Sequence, residues 1–333
     1  MIANSAPTVT RALSKAADSG LARLDAQMLL LHALGKPASD RAWLLAHDLD
    51  AVPDAAVTAF KALVQRRLHG EPVAYLTGHK EFFGLDLLVD ARVLVPRPDT
   101  ETLVEWALAV LDGFAALAGD GEGLAGCNRG NRGDSPPAGP LLRICGASGI
   151  SALRVLRALD LGTGSGAVAL AIRHSRPAVH VLATDFSADA LAVAEANAKR
   201  LRLDVQFRQG SWMAGLQDDV PGRYHLIVSN PPYIATRDPH LASLAHEPLQ
   251  ALASGPDGLD DIRAIIGEAP SYLQRDGWLL LEHGYDQAPQ VRALLLEAGF
   301  EAVQSRRDLG DIERCSGGRW LGAGMQILTS NAA

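Results

Sequence analysis

An α/β fold, with a mainly parallel seven-stranded sheet and an N-terminal helical bundle, is predicted by three observations. From residue 155 onward short apolar runs alternate with helical stretches, the pattern of parallel strands joined by crossover helices. A glycine-rich stretch, Asp160-Leu161-Gly162-Thr163-Gly164-Ser165-Gly166, lies between the first of those runs and its helix. Residues 8–69, by contrast, place apolar side chains at threes and fours, as in Leu21, Leu24, Met28, Leu31 and Leu34, which is the period of helices with one buried face.

In the bundle, Gly35 before Lys36-Pro37 ends one helix, Ser39 or Asp40 caps the next, Pro53 with Asp54 opens another, and Gly70 before Pro72 closes it. Strands at 81–84, 85–89 and 91–95 follow as a hairpin leading to the main body. The prolines of Pro96-Arg97-Pro98 forbid helix, and Asp99 is placed to cap an amphipathic helix over 101–114. Residues 119–140 hold Gly, Asn, Ser and Pro with little apolar content. They cannot offset their ordering entropy by burial, so a mobile insertion is expected. The stretch 141–153 reads equally as a frayed helix or an irregular approach to the sheet.

Strands are then expected at 155–161, 179–184, 205–208, 224–229 and 278–282, with helices at 168–174, 188–201, 259–273 and 287–298. Two closing strands, 300–306 and 320–328, make a hairpin in which one strand runs antiparallel. The boundaries drawn are 1–76 for the bundle, 77–95 for the hairpin linker and 96–333 for the main domain.

With 333 residues, 48% hydrophobic and 21% charged, the chain can bury a sizeable core. No apolar run reaches the roughly 18 residues of a membrane span, and the run at 28–34 is too late and too short for a signal peptide. A cytoplasmic protein is expected. Three cysteines, Cys127, Cys145 and Cys315, show no C-x-x-C spacing, so free thiols are expected rather than disulfides or a thiolate metal site. His246-Glu247 lacks a second histidine four residues on, so the zinc-helix motif is absent.

The formal charge of −7 argues against a large phosphate-tracking groove. Residues 1–80 carry nine basic and seven acidic side chains, +2, which leaves −9 for the remainder. Two parts with separate roles fit this division.

Binding sites in such sheets lie at the carboxyl ends of the strands. There the glycines let a ligand touch backbone N–H groups at a helix N-terminus. Gly162-x-Gly164-x-x-Ala167 also satisfies the loose dinucleotide fingerprint, so a nicotinamide cofactor is one reading. Asp160 points elsewhere. A carboxylate before the first glycine would repel a pyrophosphate, yet it suits S-adenosyl-L-methionine, which carries an ammonium and a sulfonium. Asp185 ends the second strand, where it can accept from both hydroxyls of a ribose or serve as a helix N-terminal acid. Trp212, past the third strand, can wall an adenine or fill core.

After the fourth strand comes Asn230-Pro231-Pro232-Tyr233. Each proline lacks an N–H, so the turn is stiff and offers acceptors. The Asn230 side-chain oxygen and the Pro231 carbonyl can together take both hydrogens of a planar –NH2 group, with the Tyr233 ring over its face. The plainer alternative is a Pro-rich turn closing a core strand.

These motifs resemble the release-factor glutamine methyltransferases. The resemblance is carried by Tyr75-Leu76-Thr77-Gly78, Val95-Pro96-Arg97-Pro98-Asp99-Thr100-Glu101, the stretch from Leu159 to Gly166, Ile227 to Ile234, His246-Glu247-Pro248-Leu249 and Leu280-Leu281-Glu282-His283-Gly284. It implies a class I adenosylmethionine-dependent (Rossmann-like) methyltransferase that N5-methylates the Gln of the Gly-Gly-Gln motif in class 1 peptide chain release factors. It further implies that the bundle docks the substrate, and that Asp160, Gly162, Thr163, Gly164, Ser165, Gly166, Asp185, Trp212 and Asn230 hold the cofactor. Asn230, Pro231, Pro232 and Tyr233 then grip the glutamine, with Asn230, Pro231 and Tyr233 in the catalytic role.

The 119–140 insertion is longer than the family's pattern, and Ser211 stands where many relatives have Asp. A monomer without metal, membrane or nucleic-acid partner is expected, and no side chain is required as a general base. The competing functions are a DNA or RNA amino-methyltransferase, a nicotinamide oxidoreductase, and a non-catalytic adenosylmethionine-dependent module that binds release factors.

Overall fold

The computed structural model describes residues 6–119, 142–144, 152–216 and 224–322. Five helices come first: α1 (Val9–Asp18), α2 (Arg23–Ala33), α3 (Arg41–Ala46), α4 (Asp54–Leu68) and α5 (Val73–Thr77). Thr8 caps α1, its hydroxyl accepting from the Arg11 N–H at 3.3 Å. Leu29, Leu30 and Leu31 of α2 are fully buried among Val9, Phe60 and Val64. Each contributes roughly 2 kcal/mol through removal of its surface from water, so this cluster holds the helices together.

The hairpin is β1 (His79–Phe82) paired with β2 (Leu85–Leu88). The third strand expected at 91–95 does not form. Asp90 accepts from the Arg92 N–H at 3.0 Å and also binds its guanidinium, and the Val93 N–H reaches the Asp90 carbonyl at 3.1 Å, which curls the chain into a turn. Pro98–Thr100 then makes one 3-10 turn ahead of α6 (Glu101–Gly119). Asp99 lies inside that turn, and in place of capping the helix its carboxylate pairs with Arg314 at 3.3 Å.

β3 (Leu142–Ile144) and β4 (Ala152–Arg154) form an antiparallel ladder where a frayed helix or irregular chain was expected. Apart from Gly119, the expected insertion 119–140 lies outside the described residues, as do Cys127 and Cys145. Cys315 is a free, buried thiol.

The main sheet follows: β5 (Arg157–Leu161), α7 (Ala167–Ser175), β6 (His180–Asp185), α8 (Ala188–Leu201), β7 (Gln206–Gln209), β8 (Tyr224–Ser229), α9 (Asp260–Glu268), β9 (Leu273–Glu282), α10 (Ala288–Glu297), β10 (Glu301–Arg307) and β11 (Glu313–Trp320). Its order is β10-β11-β9-β8-β5-β6-β7, with β5 to β9 parallel and β11 antiparallel to both of its neighbours. Alternate residues face opposite layers. Ala158, Leu226, Val228 and Leu280 pack under α6 and α7, while Leu159, Leu161, Ile227 and Leu281 pack under α9 and α10.

Several boundaries differ from expectation, and α6 runs on to Gly119 where 114 was expected. Pro270 converts the end of the 259–273 helix to a 3-10 turn, so β9 starts at Leu273. A strand spans 313–320, opened by a tight turn in which Asp308 accepts from the Gly310 and Ile312 N–H groups, and residues 323–328 of the strand expected at 320–328 lie outside the described residues. Its buried stretch is Cys315-Ser316-Gly317-Gly318. A Cβ on Gly317 would sit 2.5 Å from Leu280 Cδ2 and 2.6 Å from the Leu279 carbonyl oxygen, so this buried strand requires small residues there. No described helix is long and apolar enough to cross a membrane.

Candidate active site

The sheet register assembles the site. Leu161 of β5 is paired with Ser229 of β8 on one side and Thr184 of β6 on the other. The next residues, Gly162, Asn230 and Asp185, therefore emerge side by side. The chain runs from β5 outward to β7 and then crosses back to β8, so this point is where the winding direction reverses and a crevice opens. Ser229 Oγ donates to the Leu161 carbonyl at 2.7 Å and locks the two strand ends together.

The glycine loop is held from several sides. Thr163 N–H donates to the Thr184 carbonyl at 2.9 Å, and the Gly164 N–H donates to Asp185 Oδ2 at 2.8 Å. Buried Asn197 of α8 donates to the Ser165 carbonyl and pairs with both backbone groups of Leu88, which ties the loop to the hairpin. Gly166 adopts φ +85°, and a Cβ there would meet Leu170 and Ala194 at 3.0 and 3.2 Å, so the loop packs onto its helices only with glycine.

Asp160 is 2% exposed, and its Oδ2 accepts from Thr163 Oγ1 at 2.7 Å and from the Ala169 N–H at 3.1 Å. Burial pushes its pKa up to about 7 despite those two bonds. Asp185 is raised as well, again through burial, although the Ser187 and Gly164 N–H groups oppose the shift. Trp212 has φ +47°, and its indole N–H donates to Asp261 at 3.2 Å, which fixes the ring. A Cβ on Gly162 would lie 3.2 Å from that ring, so loop and indole form a narrow slot.

A cavity of about 270 Å³ opens here, lined by Asp160, Gly162, Thr163, Gly164, Ser165, Asp185, Trp212, Asn230 and Pro232 among others. Gly166 lies beneath it. Pro231 is buried outside the lining, and Tyr233 borders a neighbouring cavity with its ring packed toward α9 and α10. Asn230 Nδ2 donates to Thr100 Oγ1 at 3.2 Å, while Asn230 Oδ1 is buried with no partner among the described residues. The Tyr233 carbonyl accepts from Gln287 Nε2 at 3.0 Å, and its hydroxyl donates to Glu282 at 3.4 Å.

Several contributors escaped the sequence reading. Thr100, Phe186 and Asp261 line the cavity, and Gly258 and Gln287 brace the Tyr233 carbonyl from below. Two of them had a local signal: Phe186 is an aromatic directly after the strand-ending acid, and Thr100 lies within the Val95 to Glu101 motif.

Two families match the chain: the PrmC N-terminal domain over residues 8–78 and the methyltransferase small domain over residues 149–255. A release factor glutamine methyltransferase of Bordetella pertussis is 46% identical over 91% of this chain and 96% of its own length. The chain belongs to the release factor glutamine methyltransferase family. The Xylella fastidiosa member of this family is 44% identical over 93% of this chain and 98% of its own. A crystal structure of a release factor-specific protein-(glutamine-N5) methyltransferase from Alicyclobacillus acidocaldarius shares 27% identity, covering 68% of this chain and 94% of that one with a TM-score of 0.35.

A release factor glutamine methyltransferase uses S-adenosyl-L-methionine, and the cavity suits such a group. Asp160, Asp185 and Asp261 line it, while its two arginines, Arg92 and Arg97, are already paired with Asp90 and Glu247. A ligand bearing an ammonium and a sulfonium would offset the cost of the buried Asp160 charge, and the slot beside Trp212 accepts a flat ring.

Proposed function

We propose that this enzyme transfers a methyl group from S-adenosyl-L-methionine to the side-chain amide N5 of the glutamine in the Gly-Gly-Gln motif of class 1 peptide chain release factors. The observation that carries this reading is Asn230 Oδ1, a buried acceptor without a partner among the described residues, at the wall of the cavity. An unpaired buried carbonyl costs about 1–3 kcal/mol, and a substrate N–H removes that cost.

In this reading Asp160 and the glycine loop, Gly162 to Gly166, face the charged amino-acid end of the cofactor, Asp185 takes the ribose hydroxyls, and Trp212 walls the adenine. The bound cofactor supplies an electrophilic methyl on sulfonium. An amide nitrogen is a weak nucleophile because its lone pair is shared with the carbonyl. Asn230 Oδ1 and the Pro231 carbonyl, each accepting one N–H, raise electron density on that nitrogen and fix its approach. Pro232 and Tyr233 stiffen the turn that holds them. The helical region, residues 1–76, docks the release factor, and residues 77–95 carry it to the methyltransferase domain. The enzyme acts as a monomer in the cytoplasm, without metal or nucleic acid.

The test is mass spectrometry of a class 1 release factor incubated with the enzyme and labelled S-adenosyl-L-methionine. Label is expected on the glutamine amide nitrogen, and Asn230→Ala should cut transfer by roughly 10²–10³-fold while cofactor binding persists. Label appearing on nucleic acid would replace this reading with an amino-methyltransferase acting on bases. Full biological activity of Asn230→Ala would favour a non-catalytic module.

A further inference from the structure

At the amino ends of β5, β8 and β9, the opposite edge of the sheet from Gly162 and Asn230, another cavity of about 840 Å³ opens between α6 and the sheet. Nothing in the transfer just described uses it. His225, which lines it, stands five residues before Asn230 along β8, so the two sites lie roughly 17 Å apart. The wall is aromatic: Trp106 and Trp278 meet edge to face with ring centroids 6.2 Å apart, and Phe114 meets His225 in the same way at 5.2 Å. Gly113 of α6 borders the space, and a Cβ added there would find nothing within 4 Å. A cleft of this size holds a small organic molecule.

Its charged groups are unbalanced. Three arginines, Arg275, Arg306 and Arg319, line the cavity against one acid, Asp276. Register puts them there: Arg319 lies opposite Trp278 and Arg306 opposite Cys315, and Cys315, Gly317 and Arg319 alternate onto one face of β11. The Asp276 carboxylate is 4.0 Å from Arg275 Nε and 3.9 Å from Arg319 Nη1, beyond the reach of a hydrogen bond. Arg319 Nε is buried with no partner among the described residues. Arg306 holds its Cζ 4.9 Å from the centre of the Trp106 ring and forms no ion pair among the described residues. Burial weighs against its charge and lowers its pKa, although Cys315 and Glu105 oppose the shift. Other partly buried arginines are answered, since Arg97, Arg292 and Arg314 each bond a carboxylate.

A guanidinium is a planar fork of N–H donors that matches two oxygens of a carboxylate, sulfonate or phosphate. Donors left without acceptors beside an aromatic wall call for an anion on one side and a flat apolar surface on the other. We infer that this cavity is a binding site, separate from the methyl-transfer site, for a small organic anion with a flat apolar body. The arginines take its charged group, and its body lies against Trp106 and Trp278 beside Gly113.

Other ligands fit less well. A single acid among three arginines offers a metal cation no site. A nucleic acid needs an extended basic track for its phosphates, whereas these donors converge on a recessed aromatic wall. The inference does not depend on which substrate receives the methyl group.

The experiment titrates the full chain with anilinonaphthalene sulfonate, an anionic aromatic probe, at saturating S-adenosyl-L-homocysteine so that the cofactor cavity is occupied. It is repeated with phenylnaphthylamine, a neutral dye of similar shape. One sulfonate per chain is expected, displaced by naphthoate. Arg306→Gln combined with Arg319→Gln should weaken the sulfonate by roughly tenfold or more and leave the neutral dye unchanged. Gly113→Leu should block both dyes without lowering the unfolding temperature, since leucine is the better helix former. If Gly113→Leu does not fold, the arginine variant and the neutral dye decide. Sulfonate binding that survives Gly113→Leu, or that the arginine variant leaves intact, overturns the inference, as does a protein that binds no sulfonate once S-adenosyl-L-homocysteine is present. Displacement by an acidic peptide but not by naphthoate would give this face to a protein partner and overturn it as well.

Discussion

The Arg97 guanidinium closes on Glu247, a carboxylate 7% exposed, across 150 residues of chain. The second Glu247 oxygen accepts from the Val95 N–H at 3.1 Å, and neighbouring His246 meets the His69 carbonyl at 3.0 Å. One dipeptide thus joins the end of α4, the linker and the rim of the cavity. Arg97→Met would leave Glu247 buried and unpaired. Because Arg97 is itself partly exposed, the expected loss is about 2 kcal/mol, below that of a fully buried pair. Urea denaturation of Arg97→Met, Glu247→Gln and the double variant should give a coupling energy above about 1 kcal/mol; simple additivity would mean the pair does not stabilise the junction.

Gly258 supports the turn from Asn230 to Tyr233 from beneath. Its φ is +77°, and a Cβ would fall 2.2 Å from the Tyr233 carbonyl oxygen and 2.8 Å from Gln287 Nε2. Gly258→Ala is expected to lower stability by about 3 kcal/mol, combining backbone strain with overpacking, and to slow transfer by shifting the turn. Gly164 also has positive φ, but nothing lies within 4 Å of its added Cβ. Gly164→Ala should cost only about 1 kcal/mol. Thermal unfolding of the two variants separates contact from strain, and equal losses would contradict the bracing role.

Asp160 makes stability depend on pH. Its folded pKa of about 7 lies above the ordinary carboxylate value of 3.8. The folded protein therefore holds this proton more tightly than the unfolded chain does. The stabilising contribution is complete below pH 4 and is lost as pH rises to 7, on the order of 4 kcal/mol. Asp160→Asn should match the wild type near pH 4 and exceed it in unfolding free energy at pH 8. It should also gain less thermal stabilisation from S-adenosyl-L-methionine, since the charge that favours a cationic ligand is gone. A variant equally stable to wild type at pH 8 would show that the carboxylate is not strained there.

What could be read locally was read from the chain. The helical period of α2, the alternation of strands and helices, and the glycine loop each depend on neighbours a few residues apart, so the fold class and the strand-end part of the cavity lining, Asp160 to Ser165 with Asp185, Trp212 and Asn230, were legible. Misreadings arose where a side chain overrode the local pattern: Asp90 curls residues that look like a strand, and Gly317 and Gly318 occupy a buried strand that carries no apolar signal.

The amino-acid order alone determined most of the elements, the fold class and the family, because these rest on short-range spacing and motif chemistry. Only the tertiary structure decided that Asn230 reaches Thr100 and Tyr233 reaches Glu282, groups drawn from three separate stretches. Donor and acceptor sense is a property of groups in contact, and β-sheet register, set by packing on both faces, is what brings those groups together.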